Sequence, residues 1–119
     1  MTNQEFNEIW RKRTKAFALK IIALSDDMPK KESARVINRQ LLRATTSVAA
    51  NYRAVCRGRS QAEFYSKICI VVEEADETQF WLELLQESKL IEEIKLKPLL
   101  EEISEIVAIT TSIKTKLQK

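Results

Sequence analysis

Asn51-Tyr-Arg-Ala-Val-Cys-Arg-Gly-Arg-Ser-Gln-Ala-Glu-Phe64 contains the chain's single glycine, set between two long amphipathic runs of opposite charge. Gly58 is expected to end one helix by taking the left-handed conformation that side-chain-bearing residues resist. Ser60 followed by Glu63 reads as a capping box that starts the next helix. The stretch is therefore a tight helix–turn–helix junction, and the runs on either side of it set the fold.

Upstream, Ile37, Leu41, Ala44, Val48, Tyr52 and Val55 recur at helical spacing over about residues 31–57. Downstream, Phe64, Ile68, Val71, Ala75, Thr78, Leu82 and Leu85 form a 4-3-4-3 seam over about 61–88. Phe6, Trp10, Phe17, Ile21 and Leu24 predict a first helix over about 3–26, with Arg11, Lys12, Arg13 and Lys15 toward its polar side. Its end is set by Pro29, because the residue before a proline is driven out of the helical region. A fourth helix over about 96–117 carries Leu96, Leu99, Ile103, Ile106, Thr110, Ile113 and Leu117, with Pro98 expected in its first turn. Its late cations Lys114, Lys116 and Lys119 suit the helix dipole. Four helices with three short connections predict an all-α, antiparallel up-down-up-down four-helix bundle in a single domain over 1–119.

Helix three has apolar residues beyond its seam. Ile70, Phe80, Trp81 and Leu84 lie on other sides of it, which points to burial against another subunit and hence to a homo-oligomer. The N-terminus has no basic-then-apolar leader and the chain has no run of about 18 apolar residues, so a cytoplasmic protein with no membrane association is expected. Cys56 and Cys69 are offset by about 10 Å in a hairpin register, beyond the roughly 7 Å that a disulfide allows between α-carbons, and both are read as thiols.

There is no histidine. The commonest general base and the commonest metal ligand are both absent, so no catalytic residue, metal, cofactor or small-molecule substrate is assigned. The cluster Glu73, Glu74, Asp76 and Glu77 resembles no di-metal carboxylate site without its Glu-x-x-His motifs and is read as ion-pairing.

Charge is uneven along the chain. Residues 30–59 hold 8 basic and 1 acidic residue, and residues 60–89 hold 2 basic and 7 acidic. Two readings follow. In one, helices two and three pair through these charges, with Arg43 near Glu74 and Asp76 and with Arg35 near Glu83. In the other, Arg39, Arg43, Arg53, Arg57 and Arg59 meet the phosphates of RNA or DNA, with Tyr52 placed to stack on a base. Arg39/Arg43 and Arg53/Arg57 form two clusters rotated by about 80–120°. Arg53, Arg57 and Arg59 stand where helix three is least acidic, and are the arginines expected to be free. A protein–protein adaptor that binds no nucleic acid is the alternative.

The order Gln40-Leu41-x-Arg43-Ala44, Ser47, Asn51 and Arg59-Ser60-x-x-Glu63-Phe64, followed by Val71 to Leu82, resembles the family of bacterial four-helix-bundle proteins encoded in 23S rRNA intervening sequences. The resemblance runs from Trp10 into helix four and rests on helix-packing signatures. It implies a bundle that assembles into a ring-like pentamer, with a link to RNA. It also implies a fold similar to that of accessory proteins of diversity-generating retroelements, which bind a reverse transcriptase and nucleic acid. Family members commonly carry Glu-Gly shortly after the asparagine, whereas Ala54 and Val55 follow Arg53 here.

Overall fold

Thr2 starts the first helix. Its hydroxyl accepts from the Glu5 N–H and the Glu5 carboxylate accepts from the Thr2 N–H, each at 3.0 Å, a complete capping box. The computed structural model describes residues 1–118, so Lys119 lies outside the described residues. Helix α1 spans Asn3–Leu24, and a 3-10 turn over Ser25–Asp27 leads to an extended Met28 before Pro29. The α-helix thus ends two residues before the expected 26, where the chain tightens ahead of the proline. Helix α2 spans Glu32–Cys56, α3 Gln61–Glu87 and α4 Glu93–Leu117.

Consecutive helices pack side by side, α1 on α2, α2 on α3 and α3 on α4, and α4 closes back on α1 along a slighter contact. The result is an antiparallel four-helix bundle measuring 45 × 24 × 20 Å. The α3 seam from Ile68 to Leu85 is buried, as are Leu41, Ala44, Val48, Tyr52 and Val55 of α2. Leu96, Leu99, Ile103, Ile106 and Thr110 face them from α4. Antiparallel register between α1 and α2 is fixed near both ends. Ser25 Oγ donates to Asn38 Oδ1 at 3.0 Å, and Tyr52 Oη donates to Asn7 Oδ1 at 3.5 Å.

Pro98 is not in the first turn of α4. The helix begins at Glu93, which places Pro98 in its second turn. Pro98 and Ile94 are both exposed, so the carbonyl left without its usual i+4 donor lies on the solvent side of the helix. Buried Ile91 anchors the chain just ahead of this start.

The backbone at the turns also departs from expectation. Gly58 does not adopt a positive φ, and the left-handed residue among those described is Lys89, at φ 59°, just beyond α3. The α2 end is closed instead by short-range bonds from the Arg57 N–H to Ala54 O and from the Gly58 N–H to Val55 O. A Cβ on Gly58 would lie 3.4 Å from Val55 O and 3.6 Å from Phe64 N, an ordinary contact. Opposite outcomes are expected at the two positions. Lys89→Gly relieves left-handed strain and raises unfolding stability by about 0.5–1 kcal/mol. Gly58→Ala fits and raises it by about 0.4–1 kcal/mol through the unfolded chain, where glycine at a true left-handed cap would lose stability on substitution. Urea denaturation of the two variants reads both.

Candidate nucleic-acid interface

The α2–α3 turn presents its basic residues on one surface. Arg53 and Arg57 come from the last turn and cap of α2, Arg59 from the turn itself and Lys67 from α3. Together with Ala50, Ala54, Gly58 and Ala62 they line an open groove of about 660 Å³. Among the described residues none of these four cations forms an ion pair. The one acid in the groove, Glu63, is turned toward the backbone. Its carboxylate accepts from the Arg59 N–H at 2.7 Å, while its own N–H donates to Ser60 Oγ at 3.1 Å. Half of the expected capping box is therefore present, with the acid's bond shifted one residue upstream.

On its other side the α2 ridge borders a second groove, of about 720 Å³, in which Arg53 and Arg57 are joined by Arg11 and Lys15 of α1. Sequence reasoning placed Arg11 and Lys15 only on a polar side of their helix. The antiparallel register, which sets Asn7 against Tyr52 and thus the first half of α1 against the last half of α2, is what brings them to Arg53. Arg11 is paired with Glu8 at close range, and Lys15 carries no ion pair.

The other two arginines from the sequence reading lie elsewhere. Arg43 is engaged across the helix pair, with Nη1 donating to Glu74 Oε2 at 2.8 Å, Nη2 to Glu77, and Nε to Gln40 Oε1 at 3.0 Å. Glu77 also accepts from the Trp81 indole N–H at 3.0 Å. That bond and Arg43 hold its carboxyl below the usual carboxylate range. Asp76 takes no part. Arg39 is exposed, about 21 Å along α2 from Arg53 at the helical rise. Arg35 does not reach Glu83 but pairs with Glu32 on its own helix at 2.8 Å.

Tyr52 cannot stack on a base. It is 0% exposed, and burial pushes its phenol well above the ordinary tyrosine range. Beside it Cys56 Sγ donates to Asn7 O at 3.5 Å, and burial raises its thiol as well. Both cysteines are free thiols. Among the described residues no three of His, Cys, Asp and Glu are grouped to hold a metal ion. Among the described residues no helix is long and apolar enough to cross a membrane.

A family model described as 23S rRNA-intervening sequence protein matches residues 5–112. The chain belongs to this family. The match takes in the whole basic surface, from Arg11 to Lys67. The family member is also similar to a crystal structure, at 1.70 Å resolution, of a protein of unknown function from the S23 ribosomal protein family of Bacteroides thetaiotaomicron VPI-5482. The two share 29% sequence identity with a TM-score of 0.82, over 92% of this chain and 97% of that one. Among curated proteins no match is found. Neither description names a catalytic activity.

The second surface singled out in the sequence lies on α3. Phe80 is 49% exposed, and its ring meets Trp81 edge-on at 5.0 Å and 70°. Trp81, Ile70 and Leu84 are half-buried. One cation of α1 was misplaced by sequence reasoning. Arg13 is not on a free polar face but half-buried at the α1–α4 seam, where it donates to Glu102 and Glu105.

Proposed function

We propose that this family member is a non-catalytic cytoplasmic protein that holds nucleic acid by its phosphates, on the surface built by the end of α2 and the turn into α3. The observation that carries the reading is that Arg53, Arg57, Arg59 and Lys67 share one groove with no carboxylate of the described residues paired to any of them. Elsewhere on α2, Arg35 and Arg43 are neutralised by acids, and Arg39, exposed and unpaired among the described residues, stands about 21 Å from Arg53 and outside the groove. A cluster left unpaired keeps its field for a polyanion. RNA is taken as that polyanion, in line with the link to RNA that the family resemblance implies. Recognition here is sequence-independent, because the groove offers guanidinium and ammonium donors for backbone oxygens and small residues between them.

Self-association belongs to the same proposal. The Phe80–Trp81 pair and Leu84 on the outer side of α3 form an apolar patch suited to a second copy, which would gather several basic clusters into one assembly. The same patch favours the second reading, an adaptor that receives a partner protein and no nucleic acid. Fluorescence anisotropy with labelled RNA, both duplex and single-stranded, decides between them. Binding of either form at low salt that weakens as salt is added supports the proposal, and binding of neither by a folded protein leaves the adaptor.

A further inference from the structure

We infer that the ligand of this surface is a double helix gripped across both of its strands. This rests on the nucleic-acid reading above and adds the form of the ligand.

The C-terminal half of α2 is a ridge with a basic groove on each flank. Arg11 and Lys15 stand in the groove toward α1, Arg59 and Lys67 in the groove toward α3, and Arg53 and Arg57 border both. Two outer rows of cations are thus held apart by one helix, about 10–12 Å across with its side chains. That separation suits two backbones on either side of a nucleic-acid groove: a B-form major groove is about 12 Å wide and admits a helix. The wide, shallow minor groove of A-form RNA is likewise met by shape and backbone contacts. A lone strand could occupy only one flank at a time.

The grooves contain six basic residues against two acids, and both acids are spoken for: Glu8 by Arg11 and Lys12, and Glu63 by the Arg59 N–H. No aromatic side chain lines either groove, and Tyr52, on the ridge between them, is sealed in the core beneath. Surfaces that hold single strands combine a charged track with aromatic platforms on which the bases stack. Here the track is present and the platform is not. Affinity therefore comes from phosphate density alone, which is greater in a duplex than in a single strand of the same length.

The test compares a labelled RNA duplex of about 20 base pairs with labelled polyuridylate of the same length in one low-salt buffer. The protein is used intact, as wild type and as Lys15→Ala, an exposed and unpaired position in the α1 row. The duplex is expected to bind about tenfold more tightly, and Lys15→Ala to weaken it about three- to tenfold while leaving polyuridylate within about twofold. Equal or tighter binding of polyuridylate overturns the inference and leaves the nucleic-acid reading standing. So does a Lys15→Ala variant that holds the duplex as well as wild type. Failure to bind either probe overturns both.

Discussion

Reversing two charges, Arg53→Glu with Arg57→Glu, is expected to weaken nucleic-acid binding by about 10²-fold or more at low salt. The magnitude follows from sharing a sequence-independent affinity among few contacts. A dissociation constant of about 10⁻⁴–10⁻⁶ M spread over about six cations gives roughly 1 kcal/mol each, and reversal both removes two contacts and adds two repulsions. Arg53 and Arg57 stand at the shared border of the two grooves, so no single flank can compensate. The folded state changes less. Both side chains are exposed and unpaired, and the main cost is a negative charge at the C-terminal end of α2, about 0.3–1 kcal/mol per site against the helix dipole. Arg43→Ala is the control with the opposite pattern. It strips Glu74 and Glu77 of their partner and lowers stability, yet it leaves affinity nearly unchanged because Arg43 lines neither groove. A titration in which Arg43→Ala binds as poorly as the double reversal would mean that contact is spread over the whole of α2.

The second large effect is on stability. Trp10→Ala is expected to cost about 3–5 kcal/mol in urea denaturation, a large share of the roughly 5–15 kcal/mol that holds a domain folded. Trp10 is 7% exposed and packs beside Phe6, with ring centroids 6.3 Å apart. Above its face lies the Arg13 guanidinium, 4.1 Å from the ring centroid. That guanidinium donates to Glu102 through Nε at 3.0 Å and Nη2 at 2.6 Å, and to Glu105 at 2.8 Å. The α1–α4 contact is the slightest between neighbouring helices of the bundle, and this stack of ring, guanidinium and two carboxylates spans it. Removing the ring loses buried area and also the platform that orients Arg13. A double-mutant cycle with Arg13→Ala should therefore return a coupling of about 0.5–2 kcal/mol. Zero coupling would reduce Trp10 to an area contribution and leave the seam held by charge alone.

The fold was largely legible because its signal is periodic. Seven positions from Phe64 to Leu85 repeat at helical spacing, and six of them are fully buried, so one face of α3 could be assigned without a structure. Features that depend on local backbone energy were less visible. Gly58 looked like a left-handed cap because glycine tolerates that conformation, but tolerance is not requirement, and the strain sits at Lys89. Pro98 looked like a first-turn residue because that is where proline costs least. Solvent access to the carbonyl it frees let α4 start three residues earlier than expected.

The candidate site was legible only along one helix. Charge counting marked Arg53, Arg57 and Arg59 as the arginines farthest from helix-three acids, and none of them carries an ion pair among the described residues. Arg11 and Lys15 were missed because their approach to Arg53 depends on the α1–α2 register, which periodicity leaves free by a turn or more. Arg43 meets Glu74 as its register predicts, with Glu77 in place of Asp76, whereas Arg35 pairs with its own Glu32 and not with Glu83. A one-turn error of register, about 5.4 Å, is enough to exchange partners in an ion pair. Tyr52 shows the complementary limit. The same stripe that predicted its burial excluded the stacking role suggested by its neighbours' charge.

The central claim is that the surface around Arg53 and Arg57 binds nucleic acid through phosphates, and the salt dependence of the affinity tests it most directly. With four to six phosphates neutralised, the slope of log K against log salt should be about −3.6 to −5.4, so affinity falls about 10²–10³-fold between about 50 and 200 mM salt. The double reversal should flatten that slope by about 2. An affinity that holds constant across the salt range, or a slope that the Arg53→Glu/Arg57→Glu protein shares with wild type, would contradict the account.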